Sequence, residues 1–103
     1  MIKYYSLLQN ITSEEYHVRE YEKEYDYTDE KWNYYPVSKK MCCGEIVENK
    51  FSSPLKITVE KKNRHYFTET EMRCICADIG RRVCGQCVAT LYASKDANGN
   101  WLF

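Results

Sequence analysis

Neither sign of charge is in excess in this chain. Fifteen Lys and Arg stand against fifteen Asp and Glu among 103 residues, and the pI is about 6.7. A protein that works by coating nucleic acid needs surplus positive charge to displace counterions, so that class is disfavoured. Long apolar runs are missing as well; the apolar stretches are short and broken by charge, so no membrane span is expected. The opening "MIKYYSLLQN" lacks the apolar stretch of a secretory signal. These absences predict a cytoplasmic chain whose thiols stay reduced. Six cysteines fall below the density of a disulfide scaffold. Internal repeats, low-complexity tracts and linkers are absent too, so residues 1–103 read as one domain.

What is present is aromatic and partly periodic. Ten of the fifteen aromatic residues are Tyr, which suits half-buried positions and interfaces. Residues 2–11 are apolar enough for a strand, and "WNYYPVS" (32–38) reads as an edge strand ending near a Pro. In 55–60, Leu55, Ile57 and Val59 alternate with Lys56, Thr58 and Glu60. With "KKNR" as a turn, 64–69 returns as the partner strand of a hairpin. Thr12 with Glu15 fits a capping box, and Val18, Tyr21 and Tyr25 then share a helical stripe, predicting a helix over about 13–25. The same letters also alternate with the period of a strand. In the tail, an Asn-Gly turn before "NWLF" predicts a return onto the core. The fold class expected is α+β: a small antiparallel sheet packed with one or two helices.

Four cysteines crowd into "MRCICADIGRRVCGQCVATL" (72–91). One reading is a long core helix: Thr68 and Glu71 form a capping box, and Met72, Ile75, Cys76, Ile79, Val83, Cys87 and Leu91 recur at helical spacing. Against it, Gly80 and Gly85 would each cost about 1 kcal/mol inside a helix, and Cys74 would face away from the apolar stripe. The other reading is a structural zinc site. Zinc takes four soft ligands in a tetrahedron, and a Cys-x-x-Cys turn brings two thiolates to one ion. Cys84 and Cys87 are then the safest ligands, with Cys74 and Cys76 next. Residues 77–83 would loop between the pairs, turning at Gly80, with Arg81 and Arg82 offsetting thiolate charge. Cys42 and Cys43 stand in reserve: as neighbours they point oppositely, so one of them could replace a ligand. Helix over roughly 84–94 is expected on either reading. His17 and His65 are expected to be surface or half-buried side chains rather than ligands. No catalytic residue is assigned, because neither a βαβ setting for a redox Cys-x-x-Cys nor a base and orienting partner for a nucleophile is visible.

Charge is also unevenly spread. Residues 12–30 carry eight acids against Arg19 and Lys23, a net of −6, whereas 39–82 carry ten bases and six acids, a net of +4. An acidic segment is often just a solvated face. Interleaved with Tyr, it could instead dock into a basic groove, with Glu20, Tyr21, Glu22, Glu24 and Tyr25 as the contact residues.

Taken together, the chain's length, "CICADIGRRVCGQC" with "CC" at 42–43, and the acidic "EEYHVREYEKEYDYTDE" give it a whole-chain likeness. It resembles the zinc-containing type II-A anti-CRISPR proteins, small phage-encoded inhibitors of an RNA-guided nuclease. The resemblance implies no catalysis, a bound zinc ion, and action in the cytoplasm of a bacterial host. The nuclease itself would be the partner, its basic nucleic-acid channel blocked against guide or target loading, with little direct nucleic-acid binding. The competing class is a small zinc-binding nucleic-acid or adaptor module. There Lys61, Lys62, Arg64, Arg73, Arg81 and Arg82 would meet phosphates while Tyr residues stack on bases.

Overall fold

A computed structural model describes residues 3–92. Three strands form an antiparallel meander in the order β1 (Lys3–Gln9), β2 (Tyr16–Asp26), β3 (Lys31–Pro36). A second, two-stranded sheet holds β4 (Ile57–Val59) and β5 (Lys62–Arg64). Two helices follow, α1 (Glu69–Ile79) and α2 (Gly85–Tyr92), separated by a 3-10 turn at Gly80–Arg82. The fold is therefore α+β, with a small antiparallel sheet and two helices. The expected return of "NWLF" onto the core lies outside the described residues, as does the end of the 84–94 helix beyond Tyr92.

Residues 13–25 are not a helix. Thr12 and Ser13 donate their amides to Asn10 Oδ1 (2.9 and 3.0 Å), and Glu14 takes a positive φ of 62°. Asn10 thus builds a side-chain-capped turn where a helix cap was expected. The chain then runs extended through β2, pairing Leu7 with Val18 and Leu8 with His17. Both His17 and Val18 are buried. Adjacent residues on a strand point to opposite faces, so the N-terminal half of β2 is covered on both sides. The strand period wins because tertiary pairing, not the local cap, fixes this segment.

The β4–β5 hairpin forms with a tighter turn than "KKNR". Val59 pairs with Lys62, leaving Glu60 and Lys61 as a two-residue loop with φ of 51° and 65°. Two left-handed residues give the twist that matches paired strands. The expected return segment 64–69 is divided among other elements. Phe67 exchanges hydrogen bonds with Tyr5 on the outer edge of β1 (2.7 and 2.8 Å), and Glu69 starts α1. Ahead of that start, the Thr68 side chain accepts from the Glu71 amide while the Glu71 carboxylate accepts from the Thr68 amide, completing the expected capping box. α1 buries Met72, Ile75 and Cys76 into a core with Leu7, Leu8, Val18, Phe67 and Leu91. Each such side chain contributes about 1.5–3 kcal/mol by leaving water.

Gly80 ends α1. Its φ of 77° and ψ of −132° suit glycine, and its amide donates to the Cys76 carbonyl. The chain then turns, extends at Val83, and enters α2. Neither the uninterrupted core helix nor a loop over the whole of 77–83 is found.

Candidate metal centre

β3 pairs only with Tyr21–Asp26, so the edge of β2 before residue 21 is open to other segments. Two segments use it. The Cys42 amide donates to the Val18 carbonyl (2.8 Å), and the Cys84 amide donates to the Tyr16 carbonyl (2.7 Å). These bonds set the Met41–Glu45 turn and the start of α2 beside His17. The Met41 amide donates to the Glu45 carbonyl (2.8 Å), and Gly44 closes the turn with φ 91°.

The result is a group of four donors: His17, Cys43, Cys84 and Cys87, whose ligand atoms all lie within 4.8 Å of one another. His17 Nδ1 is 3.6 Å from Cys43 Sγ and 3.7 Å from Cys87 Sγ. His17, Cys84 and Cys87 are buried and Cys43 is half-buried. Cys84 precedes the first turn of α2 and Cys87 lies three residues later, so both face one side of the helix N-terminus. Burial pushes the Cys87 thiol well above its ordinary range and raises that of Cys43. These two thiols therefore stay protonated at neutral pH unless a cation stabilises the thiolate. Three soft sulfurs and one imidazole, closely spaced and withdrawn from water, could hold a metal ion.

Of the residues expected as ligands, the fold brings Cys84 and Cys87 together and places Cys43, one of the two held in reserve, beside them. Cys74 and Cys76 are not in the group. Cys74 is exposed on α1, and Cys76 is buried in the apolar core, where desolvation lifts its thiol to about 11. Two residues apart on a helix, their side chains diverge by about 200°, so they cannot converge on one ion. Cys42 lines a cavity with Tyr5, Met41 and Leu91 outside the four-donor group, and burial raises its thiol to about 12. His17, expected to be an ordinary side chain, supplies the fourth donor; the strand alternation of the acidic segment was the signal that could place it inward. His65 is exposed, with Nδ1 near the Pro54 carbonyl (3.2 Å).

The residues expected to meet a partner divide between two faces of β2. Directly paired residues share a face, so Glu20, Glu22 and Glu24 lie on one side with Tyr5, Tyr35 and Asn33. Tyr21, Lys23 and Tyr25 lie on the other, with Tyr4, Tyr34 and Trp32. Tyr21 is buried and packs edge-on against Tyr66 (5.1 Å between centroids), which makes it a core residue rather than an exposed contact. Lys23 Nζ sits 4.8 Å from the Trp32 ring centre, 5.3 Å from Tyr4 and 5.8 Å from Tyr34. Glu20 is bound to Lys3 (2.9 Å).

Among the described residues, no helix is long and apolar enough to cross a membrane. Compared with known proteins, the chain matches no protein-family model, no curated protein and no solved structure.

Proposed function

We propose that His17, Cys43, Cys84 and Cys87 hold one zinc ion, and that the protein is a zinc-stabilised, non-catalytic inhibitor that binds an RNA-guided nuclease. The observation that carries the zinc reading is the spacing of the donors. Ligands around tetrahedral zinc, with Zn–S about 2.3 Å and Zn–N about 2.0–2.1 Å, stand roughly 3.5–3.8 Å apart. The two His17 Nδ1–Sγ distances are 3.6 and 3.7 Å. A closed set of four protein ligands suits a structural ion, since a catalytic zinc keeps an open position. The ion would tie β2, the Met41–Glu45 turn and α2 together.

The inhibitor reading is supported by the acidic face of the β2–β3 ribbon. Glu22 and Glu24 stand beyond the covered part of β2, where a basic channel could meet them. In this reading the protein acts in the cytoplasm of a bacterial host. The test is addition of the purified protein to the nuclease with its guide. Co-elution and loss of DNA cleavage support the reading; undiminished cleavage with no complex overturns it.

The opposite face favours the second reading, a nucleic-acid module, because Trp32, Tyr34 and Tyr4 could stack bases beside Lys23. Two of the cations that reading relies on are already engaged. Arg64 makes two hydrogen bonds to Glu71 (2.6 and 2.8 Å), and Arg73 pairs with Glu69 and donates to the Leu91 carbonyl. A gel shift of bare single-stranded DNA or RNA, without nuclease binding, would favour the module.

A further inference from the structure

We infer that Glu15 is a positioning residue for the metal centre: it holds His17 so that Nδ1, not Nε2, faces the ion. This rests on the zinc reading above and adds to it the ring orientation, the tautomer and the group that sets both.

Glu15 and His17 are two positions apart in extended chain and project to the same side. Glu15 Oε1 lies 3.0 Å from His17 Nε2, on the far side of the ring from the sulfurs. Glu45 Oε2 is more distant, at 3.8 Å, and Glu45 also pairs with Lys50 (3.4 Å). An ionised carboxylate can only accept a hydrogen bond, so the Nε2 that faces it carries the proton. A neutral imidazole has one N–H, which leaves the Nδ1 lone pair for a metal. The carboxylate also draws electron density toward Nδ1 and makes it a better donor.

The surroundings leave the ring little freedom. Phe51 packs edge-on against it, with centroids 5.2 Å apart at 86°. The His17 side chain is 3 % exposed whereas that of Glu15 is 46 % exposed. Glu15 itself is anchored through the Asn10 turn: its carbonyl accepts from the Asn10 amide (2.9 Å) and its amide donates to Ser13 Oγ (3.3 Å). A partly exposed carboxylate fixed by backbone bonds can be replaced without opening the core.

The test compares zinc affinity, by chelator competition, in the unaltered protein and in Glu15→Gln, Glu15→Ala and Glu45→Gln. Removing such an outer partner weakens zinc binding about 10–100-fold. That loss is expected for Glu15→Ala, a smaller one for Glu15→Gln, and little change for Glu45→Gln. The metal-free forms should melt together, which separates positioning from folding. Long-range ¹⁵N–¹H spectra of the zinc-loaded protein should show Nδ1 bound to metal and Nε2 protonated, with faster exchange of the Nε2 proton in Glu15→Ala. Zinc affinity unchanged by both Glu15 substitutions, or ligation through Nε2, overturns the inference while leaving the zinc site standing. Failure of the unaltered protein to bind zinc overturns both.

Discussion

His17 and Cys87, seventy positions apart in the chain, meet inside the fold with Nδ1 3.7 Å from Sγ. That contact joins the second strand to the last described helix, and the loop cysteine Cys43 and Cys84, just ahead of that helix, close around it. Metal-binding free energy at such a site is also folding free energy.

The cysteines should therefore separate by position. Cys87→Ser or His17→Ala is expected to lose stoichiometric zinc and to melt far lower, since structural zinc sites can supply about 10 kcal/mol. Cys74→Ser should keep zinc and change stability by no more than about 0.5 kcal/mol, because the side chain is exposed. Cys76→Ser should also keep zinc but cost about 1–3 kcal/mol, through a buried hydroxyl without a partner. Metal analysis and thermal melts of the four variants decide this.

Two backbone sites give effects of opposite sign. Replacing Glu60-Lys61 by Asn-Gly should stabilise the protein by about 1 kcal/mol, because both positions have positive φ and neither native residue favours it. Gly80→Ala should destabilise it by about 1–3 kcal/mol. A Cβ there meets nothing within 4 Å, so the cost is conformational rather than steric. Urea titration of each variant measures the shift.

Acid should weaken the start of α1. The Arg64 guanidinium and the Thr68 cap hold the Glu71 carboxyl down at about 2, below the usual 4.5. A depressed carboxylate stabilises the fold above its unfolded value, and that stability is lost as pH falls from about 4.5 toward 2. Glu71→Gln should be less stable than the unaltered protein at neutral pH, with the difference closing over that interval. Carboxyl ¹³C titration should place the Glu71 midpoint near 2.

Partner binding should depend on the two faces of the β2–β3 ribbon in different ways. On the proposed inhibitor reading, Glu22→Lys with Glu24→Lys is expected to slow association with the nuclease and to reduce its salt dependence. Stability should change by roughly 0–1 kcal/mol. Glu20 is spared because it holds Lys3. Trp32, 55 % exposed, is the aromatic candidate, and Trp32→Ala should raise the off-rate if that face makes contact. Binding unchanged in both variants at low salt would move the docking surface elsewhere.

The parts of this fold that could be read from the chain are those set by local chemistry. Thr68 and Glu71 cap α1 through bonds within four residues, and Ile57 and Val59 alternate on a strand. Cys84 and Cys87 lie one turn apart at a helix start, so their convergence needs no distant partner. The conformation of β2 is not legible locally, because Thr12 and Glu15 imitate a cap while the strand depends on pairing with β1 and β3. The role of His17 is hidden for the same reason, since only the strand turns it toward the thiols. Cys74 and Cys76 lie on the helix that the Thr68 cap implies, and side chains two positions apart on a helix diverge.

X-ray absorption at the zinc edge of the purified protein tests the central claim most directly. The expected result is one zinc per chain with three sulfurs at about 2.3 Å and one nitrogen at about 2.0–2.1 Å, the nitrogen signal vanishing in His17→Ala. Four sulfurs, or a protein that carries no zinc and keeps its stability in strong chelator, would contradict it.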